Sequence, residues 1–317
     1  MALVLLAFLW SLMQGPEVIS PFRLAGALFA GDGSRDQLVV QMIRLPRSLA
    51  GALAGAALAT AGAICQAMTG NPLASPGILG INAGAAFAVV AAISLVGVTD
   101  PGLQLWCAFG GAALATVLVW MLGRASGAPV IGLVLSGAVL AGFLSALTTV
   151  LLIFDQGTLD QVRLWTAGSL HGRNMGQVLA TGPFILAGLV LSFLMRRHIM
   201  TLSLGAELAQ ALGQDLRVWR GLALALVVLT AGGAVALAGP VGFVGLMVPN
   251  LVRLLVGPDY RRIIPASALG GAALLLLADT TGRWISGNES FPAGITMALL
   301  GGPFFIALAR RRAGGRA

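Results

Sequence analysis

The side chains able to ligate a metal, attack a substrate or carry a proton are few in these 317 residues: Cys65, Cys107, His171, His198 and eleven carboxylates. Nucleophilic or zinc chemistry needs such groups to converge, a base beside a nucleophile or three to four ligands around one point. The two cysteines fall inside separate apolar runs, where a thiol is normally an inert core side chain. The two histidines fall at the ends of other runs, too far apart to share a metal. Asp279 is the one acid inside an apolar run, and Arg283 stands one helical turn beyond it, so an i, i+4 pair can neutralise its charge. Proton-coupled transport ordinarily uses more intramembrane acids or histidines than this, and a membrane-embedded transferase would gather such groups at one depth. All nineteen basic residues are arginine. A phosphate-binding loop ends in Gly-Lys-Ser/Thr, so a chain without lysine has none, and nucleotide hydrolysis must belong to another polypeptide. The net charge of +8 does not mark a nucleic-acid surface, because the arginines are scattered between apolar runs without interleaved aromatics.

The elements that carry these residues are set by composition. Hydrophobic residues make up 58% of the chain and charged residues 9%, against about a quarter charged in a soluble domain. Apolar runs recur from end to end, which implies an all-α polytopic membrane protein forming a single transmembrane domain over residues 1–317. Runs of spanning length are Leu49 to Met68, Ile78 to Val98, Leu103 to Leu122, Pro129 to Phe154 and Val178 to Met195. The stretch Gly221 to Val256 is broken by Gly239 and Pro240, and Ile263 to Ala309 by the polar patch Asp279 to Pro292. Met1 to Gly15 has no basic residue before its apolar run, unlike a secretory signal, and reads as a short first span. Three basic clusters, around Arg196, from Arg217 to Arg262, and at Arg310 to Arg312, lie on one side only if two spans separate each pair. The count is then about ten, with both termini cytoplasmic. Twelve arginines fall inside against Glu207, Asp215 and Asp259, and seven of each sign fall outside. Ten spans also divide into two halves of five, whose odd number would invert the second half.

Two stretches depart from plain spans. Gly137, Ala141, Ser145 and Thr149 recur every four residues, a pattern that serves either close helix packing or the wall of a pathway. Between Met68 and Gly84 the sequence MTGNPLASPGILGINAG is stiff and irregular, and such backbone is tolerated at membrane depth where it lines a cavity or is covered by protein. It reads either as a gate or as a turn at the cytoplasmic surface.

RLPRSLAGALAGAALATAGAICQAMTGNPLASPGILG from Arg44 to Gly80 resembles the signature of the FecCD-type permease family of ABC importers, which take up iron-siderophores, haem and vitamin B12. The likeness continues through AGPVGFVGLMVPNLVRLLVGPDYRR from Ala238 to Arg262, LLLAD ending at Asp279, and FPAGITMALLGGPFFIALARR. It implies the type II importer permease fold in the cytoplasmic (inner) membrane, with no cofactor. Partners implied are a second permease subunit, identical or paralogous, two cytoplasmic ATPase subunits and an extracytoplasmic substrate-binding protein. Carried over by position, the cytoplasmic gate is Asn71, Leu73 and Ser126. The ATPase-coupling segment lies within 202–215, at Gly205, Ala206, Glu207, Leu208 and Gly213. Arg44, Arg47 and Arg283 match the family's binding-protein docking contacts, where the residues alone also read as arginines anchoring in the headgroups, and a short helix on the outer face is expected at Thr158 to Leu170. A ferric siderophore is the expected cargo, with haem or vitamin B12 as alternatives. Its metal arrives already coordinated by the chelator, so the chain needs no iron ligands of its own; a free-metal transporter would need them.

Overall fold

The computed structural model describes residues 1–15, 17–29, 33–125 and 129–314, and these form fourteen helices with no strand among them. In chain order they are α1 (Ala2–Met13), α2 (Pro21–Phe29), α3 (Arg35–Thr69), α4 (Ile81–Val96), α5 (Pro101–Ala125), α6 (Pro129–Phe154), α7 (Gln156–Thr166), α8 (Met175–Leu194), α9 (Arg196–Leu202), α10 (Ala206–Ala211), α11 (Leu216–Ala238), α12 (Val244–Val256), α13 (Tyr260–Ser286) and α14 (Ala293–Gly314). Six are long and apolar enough to cross a membrane, and α1, α4, α12 and α14 are shorter apolar helices. Together they make the ten expected from the apolar runs and the arginine clusters. The short helix expected after the fifth apolar run is α7, which Asp155 caps by accepting the Thr158 amide. A hydrogen bond from the Thr158 hydroxyl, with that from its amide, holds the Asp155 carboxyl below the usual carboxylate range.

Helix α3 is the central post, with 83% of its apolar window buried. Its sequence is nearly all small residues, so neighbours approach to backbone contact. Gly55 and Gly271 of α13 face each other so closely that a Cβ on either would overlap the other's carbonyl, and a Cβ on Gly62 would overlap the carbonyl of Gly245 of α12. A rigid helix packed this closely on two sides fixes the rest of the bundle around it.

Two apolar helices are short because non-helical backbone completes the crossing. Helix α4 rises about 24 Å, less than the ~30 Å hydrocarbon core. It starts late because Gly80, at φ 74, ends a 3-10 turn over Pro76–Leu79 in which Pro76 and Leu79 are buried. That turn is recessed: Pro76 reaches Gly245, opposite Leu58 to Gly62 of α3, roughly 10 Å below the Thr69 end. Helix α12 rises about 20 Å and starts after the break at residues 239–243. Phe243, at φ 65, is the one non-glycine residue with positive φ among the described residues. Its ring lies over Gly301 of α14, where a Cβ would overlap it. That contact holds a conformation costing of order 1–3 kcal/mol.

The bundle therefore has two chemically different ends. One carries Arg44, Arg47, Asp279 and Glu289 together with α7; the other carries the 70–80 loop, α9, α10 and Arg253.

Candidate functional site

At the first end, two arginines converge on one carboxylate and a third lies beside them on backbone carbonyls. Arg47 donates from Nε and Nη2 to the two oxygens of Asp279 at 2.9 and 2.7 Å, and Arg283 donates from Nε to Asp279 Oδ2 at 3.1 Å. Arg44 donates to the carbonyls of Leu12, Met13 and Glu17, Arg47 also to that of Glu289, and Arg283 also to that of Gln14 and to Ser11 Oγ. The i, i+4 pairing of Arg283 with Asp279 is as the sequence expects. The free docking charges are not there: Arg44, Arg47 and Arg283 are only 3, 5 and 5% exposed. The sequence carries no sign of this burial, because most of the partners are backbone carbonyls supplied by the end of α1 and by two loops. The result is a knot joining α1, α3 and α13, in which one acid and a ring of carbonyls hold three cations, with the Arg44 Nε left unpartnered.

At the opposite end, Asn71 is exposed and Leu73 half-buried in a turn where Asn71 Oδ1 accepts the Leu73 amide at 2.9 Å and Asn71 O accepts that of Ala74. The turn is tethered. Asn250 of α12 donates to Pro72 O at 2.8 Å, and Arg253 joins Asn250, Gln66 of α3 and the Tyr260 hydroxyl at 3.4, 3.2 and 2.8 Å. Beside this network a cavity of about 390 Å3 separates the loop residues Gly70 and Pro72 from Met200, Ser203 and Leu204. Ser126 lies outside the described residues. Sequence reasoning did not single out Asn250 and Arg253, although both sit inside the quoted Ala238–Arg262 segment; two polar side chains in an otherwise apolar helix were the available signal.

The 202–215 segment folds as a turn, the single-turn helix α10 and a second turn. Gly205 at φ 96 and Gly213 at φ 78 bracket it in backbone that an L side chain enters only with strain. Ala209 is buried against the body, while Ala206 and Glu207 face outward. Leu204, Leu208 and Leu212 are 44, 57 and 66% exposed and recur every four residues. This leaves an apolar ridge on a polar end, which the sequence pattern hides because the flanking turns break the helix.

Helix α6 is the least covered of the long helices, with 11% of its apolar window buried. The four-residue series does not keep to one face. Successive steps of four drift about 40° around a 3.6-residue helix, so Gly137 is pressed against the carbonyl of Ile78, Ala141 is half-buried, and Ser145 and Thr149 are exposed. The exposed small residues are instead Ala138, Gly142, Ser145, Ala146 and Thr149. Nothing lies within 4 Å of a Cβ at Gly142, and the Thr149 hydroxyl turns back to Ser145 O. Two hydroxyl-bearing residues and a bare backbone make a smooth, weakly polar strip without metal ligands. Among the described residues no three His, Cys, Asp or Glu side chains gather as a metal site.

The model of the FecCD transport family matches residues 3–311. The chain belongs to that family. Relatives match most of its length: the Fe(3+)-citrate import system permease protein YfmD of Bacillus subtilis (strain 168) is 41% identical over 301 residues, covering 95% of this chain and 90% of the relative. The cobalamin import system permease protein BtuC of Halobacterium salinarum is 40% identical over 277 residues, 87% of this chain and 74% of the relative. Among solved structures, the inward-facing conformation of a metal-chelate-type ABC transporter superposes with a TM-score of 0.84 at 29% identity, covering 98% of this chain and 97% of that one. The ten-helix arrangement described above is thus the FecCD permease fold.

Proposed function

We propose that this chain is the membrane-spanning permease subunit of an ATP-driven importer for a ferric chelate, with a siderophore as first choice and haem or vitamin B12 as alternatives. The family match across residues 3–311 carries the reading. The cargo assignment draws on the iron-citrate relative and on the α6 strip, whose weakly polar surface suits a metal already wrapped by its chelator. Two copies, or this chain and a paralogue, pair so that the exposed faces of α6 flank the pathway in the cytoplasmic membrane, with both termini inside. Asn71, Leu73 and Ser126 close its cytoplasmic end, and the network through Asn250 and Arg253 sets the position of that loop. ATPase subunits seat on Gly205, Ala206, Glu207, Leu208 and Gly213, where the leucine ridge offers apolar area for a partner. Binding-protein docking at the outer end depends on Arg44, Arg47 and Arg283 through the loops whose carbonyls they hold, rather than through free ion pairs.

The test is reconstitution. The chain purified without other subunits hydrolyses no ATP, and together with its ATPase subunits and binding protein in liposomes it imports radiolabelled ferric chelate only when ATP is supplied on the cytoplasmic side. ATPase activity in a preparation shown by mass spectrometry to hold this chain alone, or import that follows a proton gradient without ATP, overturns the assignment.

A further inference from the structure

Beneath α7, on the same end of the bundle as the arginine knot, lies a cavity of about 260 Å3 bounded by α4, the start of α5, α7, the turn at Gly172 and Arg173, and the start of α8. Its polar lining is Arg173, Gln104, Gln161, Gln177 and Trp165. Among the described residues no carboxylate lines it. Arg173 is only partly exposed, and its Nε is buried without a hydrogen-bond partner. Among the described residues it also enters no ion pair, unlike Arg47 and Arg283. Burial accordingly pulls its guanidinium below the usual arginine value. The glutamines hold donors in reserve. Gln104 uses one N–H on Val98 O, Gln177 uses its amide oxygen on the Asn174 amide and keeps its NH2, and the Gln161 side chain has no partner among the described residues. Gln161 and Gly172 are exposed at the rim, so the space opens to the outside of the protein.

A half-buried cation with no counter-charge among the described residues, ringed by amide donors, lacks only an acceptor. Guanidinium offers parallel N–H groups that match the two oxygens of a carboxylate or phosphate. We propose that this cavity is an oxyanion site, in which Arg173 supplies the charge and Gln104, Gln161 and Gln177 supply further hydrogen bonds to a carboxylate or phosphate group. The oxyanion comes either free from solution or as the phosphate of a lipid headgroup. This site stands independently of the cargo and of the transport reading.

The experiment is thermal unfolding of the full chain, in detergent and in nanodiscs, with iron-free citrate and inorganic phosphate as probes and chloride at matched ionic strength as reference. A saturable rise in the unfolding midpoint is expected, since a ligand of the folded state stabilises it by mass action. If free anions fill the site, the rise comes with citrate or phosphate in phosphatidylcholine nanodiscs. If a headgroup fills it, phosphatidylglycerol nanodiscs give the rise and added phosphate gives no more. In either case Arg173→Gln abolishes the response. Gln161→Glu, which places a carboxylate inside the cavity, raises the starting midpoint and also abolishes it. The proposal is overturned if no anion shifts the midpoint of the unmodified chain, or if both variants respond as it does.

Discussion

Helices α3 and α6 have similar apolar, glycine-containing sequences but opposite fates, one 83% and the other 11% buried across its apolar window. In α3 the glycines are spent: Gly55 and Gly62 touch the backbone of α13 and α12. In α6 Gly132 and Gly137 are packed against neighbours, while Gly142 faces open space. A small residue in a membrane helix is therefore either a contact already made or one reserved for something outside the chain, and the sequence alone cannot tell which. Neighbours decide.

Substitutions separate the two cases. The largest effect is expected where α3 and α13 share charge: Asp279→Ala strands two buried guanidiniums and should cost about 3–5 kcal/mol of stability, read as loss of folded permease in detergent. Replacing Arg47, Asp279 and Arg283 together by apolar residues of similar volume should recover much of that loss. Next is Gly55→Leu. Overpacking typically costs about 1–3 kcal/mol, and because the obstacle is the Gly271 backbone this change should reach the top of that range or exceed it. Gly142→Leu should lie within about 0.5 kcal/mol of the unmodified chain yet slow uptake severalfold in liposomes, because it adds bulk to the open strip. If Gly142→Leu unfolds the protein, or transports normally, the contrast between the helices is wrong. The smallest stability effect is expected for Glu207→Arg on the exposed face of α10, which should leave folding unchanged while weakening retention of the ATPase subunits on an affinity column. Full retention would place the coupling surface elsewhere.

How much of this was legible in the sequence follows the same division. Hydrophobic run lengths and arginine placement give the ten helices, since both report local chemistry. The pairing of Asp279 with Arg283 is also local, one turn apart. What the sequence hides is geometry supplied from afar. The shortness of α4 depends on Pro76 reaching Gly245, and the burial of Arg44 depends on carbonyls at Leu12, Met13 and Glu17. Backbone carbonyls are the same at every position, so no pattern of side chains announces them. The drift of the Gly137 series is different: it follows from helical pitch and could have been computed.

The bond between Arg47 and Asp279 spans 232 residues of sequence, and this sets an order of events at birth. At about 5–20 residues per second, on the order of 10 to 50 s separate the emergence of the cation from that of its counter-charge. Throughout that interval the head of α3 carries a guanidinium with no acid to meet it, and water or lipid headgroups must hold it at the bilayer surface. The central post of the bundle is thus among the first helices made and among the last to lock. A nascent chain halted before Asp279 should leave that end of α3 open to modification from outside, and completion of α13 should close it.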